Sequence, residues 1–280
     1  MPGVGKTQLS IQLALDVQIP ACFPQGINGK CIYIDTEGSF HIERAHTMAE
    51  AVSQHLKKTM YGKRKPDGTY ELEPNIKAAR ESAVLQYTTE QFLDDIYLIR
   101  AHDSTELLAV VNRLPSLMDQ ILNVKLILID SIAFPFRQRL HDVATRTRLI
   151  AGIALTLQKI AHERQVAVVV TNHVTSKFNK NKGQKHNDED RAPDEFENVI
   201  IADSSIRDIF NTSTELLPAL GDTWSHAVTN RMMMHFHKGD RCASLMKSSS
   251  LKCSSCVFTI TEDGIRDIHK KNEQSKKICT

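Results

Sequence analysis

Gly3-Val4-Gly5-Lys6-Thr7 completes a phosphate-binding pattern, G-x-x-x-x-G-K-[ST]. In that pattern, backbone N–H groups of a glycine-rich turn point inward and cradle phosphate oxygens. The helix that follows presents its positive dipole end. The lysine reaches the β- and γ-phosphates of a nucleotide, and the hydroxyl joins a Mg²⁺ shell. Lys6 and Thr7 fit those roles, with Gly3, Val4, Gly5 and Gln8 around them as the rest of the ATP-binding loop. Leu9, Leu13 and Val17 recur near helical spacing behind it. A chance glycine turn is the plain alternative; three further motifs in the right order argue against it.

The second motif is Cys31-Ile32-Tyr33-Ile34-Asp35-Thr36-Glu37-Gly38, an apolar strand that ends in acids and a glycine. Ligands bind at the carboxyl ends of strands in open parallel sheets. Glu37 is placed to orient and activate a water that attacks a γ-phosphate. An ordinary strand-end acid is the alternative. The third motif, Leu126-Ile127-Leu128-Ile129-Asp130, is an apolar strand closed by an acid that can hold Mg²⁺. The fourth, Val166 to His173, ends in Thr171-Asn172-His173, where His173 is positioned to sense a γ-phosphate. Glu37, Lys6 and His173 are therefore the candidate catalytic residues, and Thr7 and Asp130 the candidate Mg²⁺ ligands.

These residues need a scaffold of continuous β-branched strands bounded by helices, the pattern of a parallel sheet covered on both faces. The spacing predicts helices at 7–18, 41–58, 104–119 and 142–163, with shorter ones near 75–85 and 89–94. It predicts strands at 31–36, 95–100, 125–130 and 165–171. Ala45, Met48, Ala49, Val52 and Leu56 form an apolar stripe on the second helix. Short strands near 229–237, 241–247 and 256–261 read as antiparallel. The expected fold class is α/β: a P-loop core with a mostly parallel central sheet flanked by helices, and antiparallel strands at its C-terminal end.

A chain of 280 residues sits near the upper size of a single core. The core is expected over 1–268, with a basic polar tail at 269–280 that reads as a solvated terminus or as a nuclear import signal. Net charge is only +2, so composition by itself does not argue for a nucleic-acid partner. No apolar run is long enough to span a membrane as a helix, and no membrane partner is expected. The stretch 176–215, rich in Lys, Asn, Asp and Glu with little periodicity before Asn198, is expected to be a long flexible DNA-loop insert, disordered without a ligand. Lys177, Lys180 and Lys182 gather at its start, where phosphate contacts would add salt-dependent affinity. A solvated linker explains them equally well, and the acids from Asp188 to Glu197 oppose DNA there. The six cysteines are scattered; Cys253 and Cys256 have ligand spacing but no second pair at the required distance, so reduced thiols are the simpler reading. His235 and His237 fall on one face of a strand, which explains them without a metal.

In order and wording these motifs resemble the RecA-like eukaryotic recombinases, and within them the C-type paralogues of the strand-exchange recombinase. The resemblance is carried by PGVGKTQL (2–9), DVQIP (16–20), IDTEGSF (34–40), TELLA (105–109), SIAFPFR (131–137), RTRLI (146–150), TNHVTSK (171–177) and LPALGDTWSHAVTNR (217–231). It covers most of 1–175 and 215–268. It implies that Lys6 and Thr7 bind phosphate and Mg²⁺, that Glu37 is the catalytic glutamate, and that Asp130 is the Mg²⁺-holding acid. It implies that Arg44 packs against adenine, that Arg137 opens a first DNA-binding loop, and that a second loop follows His173. Arg231 matches a recurring arginine whose role is left open. It further implies nuclear location, single-stranded and branched DNA as partners, and hetero-oligomers with other recombinase paralogues.

His173 departs from the family pattern, which carries glutamine there; histidine can change charge near neutral pH. The first glycine of the phosphate loop would fall one residue before Met1, so the first core strand is expected to be missing. That strand would lie mid-sheet, and its loss would leave strand edges and apolar surface uncovered. The resulting expectation is a DNA-dependent ATPase subunit of recombinational repair, with weak or partner-dependent activity. An assembly scaffold with a degenerate ATP site is the alternative, and a hexameric helicase-like ATPase a third. Alone, the chain is expected to be poorly stable and to bind ATP weakly; a cooperative thermal transition together with micromolar ATP affinity would contradict this.

Overall fold

Alternation along two strands decides the architecture. In β1 (Lys30–Asp35) and β3 (Val124–Asp130), Cys31, Tyr33, Leu126 and Leu128 turn to one face, and Ile32, Ile34, Ile127 and Ile129 to the other. Both sets are buried, so both faces must be covered. The computed structural model describes residues 3–62, 72–136, 143–178, 214–218 and 220–268. In it β2 (Ile96–Arg100), β1, β3 and β4 (Ala167–Val170) form a four-stranded parallel sheet in the order β2-β1-β3-β4. β4 pairs on one side only, with β3, among the described residues.

One face is covered by α1 (Lys6–Asp16), α2 (Ile42–Thr59), α3 (Pro74–Gln86) and α4 (Thr89–Asp94), through Ile11, Leu15, Met48, Leu56 and Phe92. The other is covered by α5 (Ser104–Gln120) and α6 (Val143–Arg164), through Leu107, Val111, Leu114, Ile153 and Leu157, with Trp224 of α7 (Gly221–Ala227) beside them. Local signals start the helices where the spacing predicts. Asp103 caps α5 by accepting from the N–H groups of Thr105 and Glu106, Thr88 caps α4, and Pro74 opens α3.

The C-terminal strands form a sheet of their own rather than extending the parallel one. Its antiparallel order is β10-β9-β8-β7, built from β7 (Arg231–His237), β8 (Asp240–Lys247), β9 (Ser255–Thr261) and β10 (Gly264–Asp267). Lys238 and Gly239 both take positive φ, 50° and 89°, which suits the tight turn between β7 and β8. β10 escapes the sequence reading because four residues give no measurable alternation. It reaches back to α1, where the Ile265 N–H donates to Gln12 Oε1 at 3.3 Å.

The segment expected as an aperiodic insert over 176–215 begins and ends in strand. β5 (Val174–Phe178) and β6 (Thr214–Pro218) pair antiparallel from Val174↔Pro218 to Phe178↔Thr214. Cross-strand pairing supplies what composition lacks at those ends; residues 179–213 lie outside the described ones.

Arg231 is anchored locally. It donates to the Ser225 carbonyl at 2.7 Å, and Lys247 donates to the Val228 carbonyl at 2.7 Å, so two cations meet the C-terminal end of α7.

His235 is buried in the C-terminal sheet, bonded to Ser244 Oγ at 2.9 Å, and burial pushes its pKa below the ordinary value. A histidine held neutral in the fold charges more readily once unfolded. Its contribution to stability is therefore complete above the unfolded pKa of about 6.5 and is lost as pH falls below it. Urea midpoints measured from pH 7.5 down to 5.5 are expected to fall, and His235→Gln is expected to flatten that slope.

Candidate functional site

Parallel register sets the site. Asp35 of β1 stands level with Asp130 of β3, and Ile129 with Val170 of β4. Thr36-Glu37, Asp130-Ser131 and Thr171-Asn172-His173 therefore leave the sheet at one common edge. Backbone bonds close that edge: Thr36 N–H donates to the Asp130 carbonyl at 2.9 Å, Thr171 N–H to Ile129 at 2.9 Å, and Ile132 N–H to Thr171 at 3.0 Å.

Asp35 folds the turn that carries Glu37. The carboxylate is buried, and its Oδ1 accepts from the N–H groups of Glu37 at 3.2 Å and Ser39 at 3.1 Å. Its Oδ2 accepts from the Phe40 N–H at 3.1 Å. Gly38, at φ 67°, lets the chain turn back inside these bonds. Asp130 is equally buried and receives hydroxyls, Tyr33 on Oδ2 at 3.0 Å and Thr171 on Oδ1. Burial first, and the Asp130 charge second, push the Tyr33 phenol upward, so it remains a donor.

Glu37 meets two donors on one oxygen. Ser131 Oγ donates to Oε1, and His173 Nε2 lies 2.6 Å from the same atom. Ser131 is itself fixed: its N–H donates to Thr36 Oγ1 at 2.9 Å, and that hydroxyl donates back to the Ser131 carbonyl at 2.7 Å.

The phosphate loop lies against this edge. Gly3 and Gly5 take φ 71° and 112°, and Gly5 caps α1, whose first turn holds no acid. An anion therefore meets only the positive end of that helix. Thr7 Oγ1 is 3.4 Å from Ser39 Oγ, in the turn that carries Glu37. A Cβ on Gly5 would lie 2.6 Å from Ile260 Cδ1, so β9 seals the loop from the far side. Arg44, expected beside adenine, donates from Nε to Gln8 Oε1 at 2.6 Å and from Nη2 to the Thr261 carbonyl at 2.6 Å.

The structure thus brings together Thr7, Gln8, Glu37, Arg44, Asp130 and His173, with Lys6 on the first turn of α1. Lys177 lies on β5, while Arg137, Lys180 and Lys182 fall outside the described residues. Sequence reasoning missed Tyr33, Asp35, Thr36, Ser131 and Thr171 as working parts of the site. The only available signal was a polar residue inside or just after each apolar run. Among the described residues no three His, Cys, Asp or Glu side chains gather as a metal cluster, and Cys253 and Cys256 are exposed thiols.

The sequence profile of the Rad51 family matches residues 3–62 and 66–207, which include Lys6, Thr7, Gln8, Glu37, Arg44, Asp130 and His173. The chain belongs to the Rad51 family. It is similar to the DNA repair protein RAD51 homolog 3 of Cricetulus griseus, 40% identical over 267 residues, covering 95% of this chain and 61% of that protein. It is also similar to RAD51 homolog 3 of Dictyostelium discoideum, 32% identical over 268 residues, covering 96% of this chain and 58% of that protein. The chain spans about three fifths of the length of these relatives. The likeness to homolog 3 is likeness to the C-type Rad51 paralogue, and the α/β fold with its parallel sheet is that of the Rad51 family.

Asp35→Ala would strand three backbone N–H groups at the base of the Glu37 turn. Each unmet buried donor costs about 1–3 kcal/mol, less where water enters. The expected loss is about 2–4 kcal/mol by urea denaturation, with the larger share kept in Asp35→Asn, which retains an acceptor oxygen.

Proposed function

We propose that this Rad51-family chain is a DNA-dependent ATPase subunit of homologous-recombination repair. It acts in the nucleus, in complexes with other recombinase paralogues, on single-stranded or branched DNA. The observation that carries the enzymatic part is the shared register of β1 and β3. It sets Glu37 and Asp130 side by side, with Thr7 linked to the same turn through Ser39. The repair role is supported by the homolog 3 relatives, which are DNA repair proteins.

The residues present fit ATP and Mg²⁺. Gly3 has open space above its Cα, and the first turn of α1 holds no acid. Lys6 and the loop N–H groups would hold the phosphates, and Thr7 with Asp130 the Mg²⁺, which supplies charge neutralisation during phosphoryl transfer. Gln8 and Arg44 line the approach beyond the loop. Asp130 is held in its orientation because Tyr33 and Thr171 donate to it. Glu37 is the base that orients the attacking water. Lys177, Lys180 and Lys182, with Arg137, are the DNA contacts in this reading, and their electrostatic share falls with added salt.

The close Glu37–His173 contact favours a second reading, a scaffold in which bound nucleotide holds the fold without turnover. The two readings part at Glu37→Gln. The ATPase loses turnover by about 10²-fold or more with nucleotide affinity retained, the range expected for a general base; the scaffold loses no function. ATP turnover with and without single-stranded DNA, in the chain co-expressed with paralogue partners, is the test. DNA-stimulated turnover that vanishes in Lys6→Ala supports the ATPase. Partner binding without turnover supports the scaffold.

A further inference from the structure

We propose that a polar cavity at the far end of the parallel sheet, opposite the Glu37 edge, binds a primary carboxamide. The inference stands apart from the ATPase reading. The cavity has a volume of about 200 Å³ and lies where β1 and β3 begin. Lys30 opens β1, and Asn123 directly precedes β3; both line the cavity. Gln18, just after α1, and Gln91 and Asp95, on α4 and at its end, complete the working part of the wall.

Gln18 is the reason a guest belongs there. The residue is 1% exposed. Its Nε2 donates to the Ala14 carbonyl at 2.8 Å and to the Phe92 carbonyl at 2.9 Å. Both amide hydrogens are thereby used, which also settles which end of the side chain is the oxygen. That oxygen, Oε1, is buried and accepts from no described residue. A buried acceptor left unmet is costly, and a donor brought in from outside removes the cost.

The neighbouring amides repeat the pattern. Gln91 Nε2 donates to Asp95 Oδ2 at 3.0 Å, and Asn123 Nδ2 donates to the Asn28 carbonyl. With those nitrogens committed, the amide oxygens remain to face a guest. Asn28 has the opposite polarity: Tyr87 donates its hydroxyl to Asn28 Oδ1, which leaves Nδ2 as a donor. The wall therefore offers several acceptors and one amide donor.

Charge narrows the class of guest. Lys30 Nζ lies 2.9 Å from Asp95 Oδ1, so the two charges in the wall cancel. A carboxylate guest would set its oxygens against Gln18 Oε1. An ammonium guest would stand beside Lys30 and bring nothing for Asn28 Nδ2 to donate to. A carboxamide carries two N–H donors and one acceptor and no charge, the complement of this wall. The cavity is smaller than the roughly 300–1,000 Å³ of sites for drug-sized ligands. It has room for the end of a glutamine side chain or for a free amide of that size, and the two present the same chemistry.

The test is saturation-transfer NMR on the full chain with propionamide, propionate and propylammonium as probes. Propionamide should bind saturably with a roughly millimolar Kd, as befits so small a molecule. Propionate and propylammonium should bind about two- to tenfold more weakly for each hydrogen bond they cannot make. Gln18→Met, which removes the buried acceptor, should weaken propionamide by a similar factor. So should Asn123→Gly, which keeps the φ of 62° that Asn123 adopts. Thermal melts identify any variant that fails to fold, and the comparison of the three probes needs no variant. Repeating the titration on the chain co-expressed with paralogue partners separates the sources. Loss of propionamide binding there assigns the natural guest to an Asn or Gln side chain of a partner; binding retained assigns it to a free amide. No saturable transfer to propionamide overturns the site and leaves the cavity to water. Equal binding of propionate or propylammonium overturns it too, as does propionamide binding that ignores both folded variants.

Discussion

Two buried carboxylates on neighbouring strands, Asp35 and Asp130, constrain everything else at this edge of the sheet. Burying a charge is costly unless it is paired or fully hydrogen-bonded. Among the described residues neither acid is in a salt bridge. Asp35 instead collects backbone N–H groups and Asp130 collects hydroxyls. Each solution dictates local structure. The first forces the chain after β1 to curl back over its own strand end, which presents Glu37. The second requires Tyr33 on β1 and Thr171 after β4 to flank β3, which fixes the strand order on both sides of it.

The two hydrophobic cores serve this edge in different ways. The face covered by α1 and α2 holds Tyr33 rigid, edge-on to Phe40 at 4.9 Å between ring centroids. The aromatic pair thus locks the same turn that Asp35 folds. The face covered by α5 and α6 keeps β3 straight through Ile127 and Ile129, so Asp130 emerges at a fixed height. The C-terminal sheet adds a third support. It lies against the Gly3–Thr7 loop at Ile260 and holds Arg44 through the Thr261 carbonyl, so strands remote in sequence shape the surroundings of that loop.

Much of this was legible in the residues, for physical reasons. The parallel strands are continuous apolar runs, and the long helices α2 and α5 carry apolar stripes, with Asp103 capping the start of α5, so periodicity finds them. Glu37, Asp130 and His173 were visible because acids and polar groups directly after such runs have few structural uses. β5, β6 and β10 were not legible: each is four or five residues long and stabilised by its partner rather than by its own pattern. The hydroxyl network was hidden for a different reason. Tyr33, Thr36, Ser131 and Thr171 act through pairings between residues 41 to 97 positions apart, and a single sequence carries no record of which strand lies beside which. Arg44 shows the same limit, since two of its partners are backbone carbonyls, which have no residue type.

The link between α1 and β10 has a consequence for the order in which the protein is made. Gln12 and Ile265 are 253 positions apart, and Arg44 and Glu262 are 218 apart. Closing loops of that length is slow, and folding during synthesis proceeds from the N-terminus. The Gly3–Thr7 loop leaves the ribosome well before β9, the strand that walls it. Between those two events a nascent chain carries the loop without its outer wall, which is completed only when β9 and β10 dock.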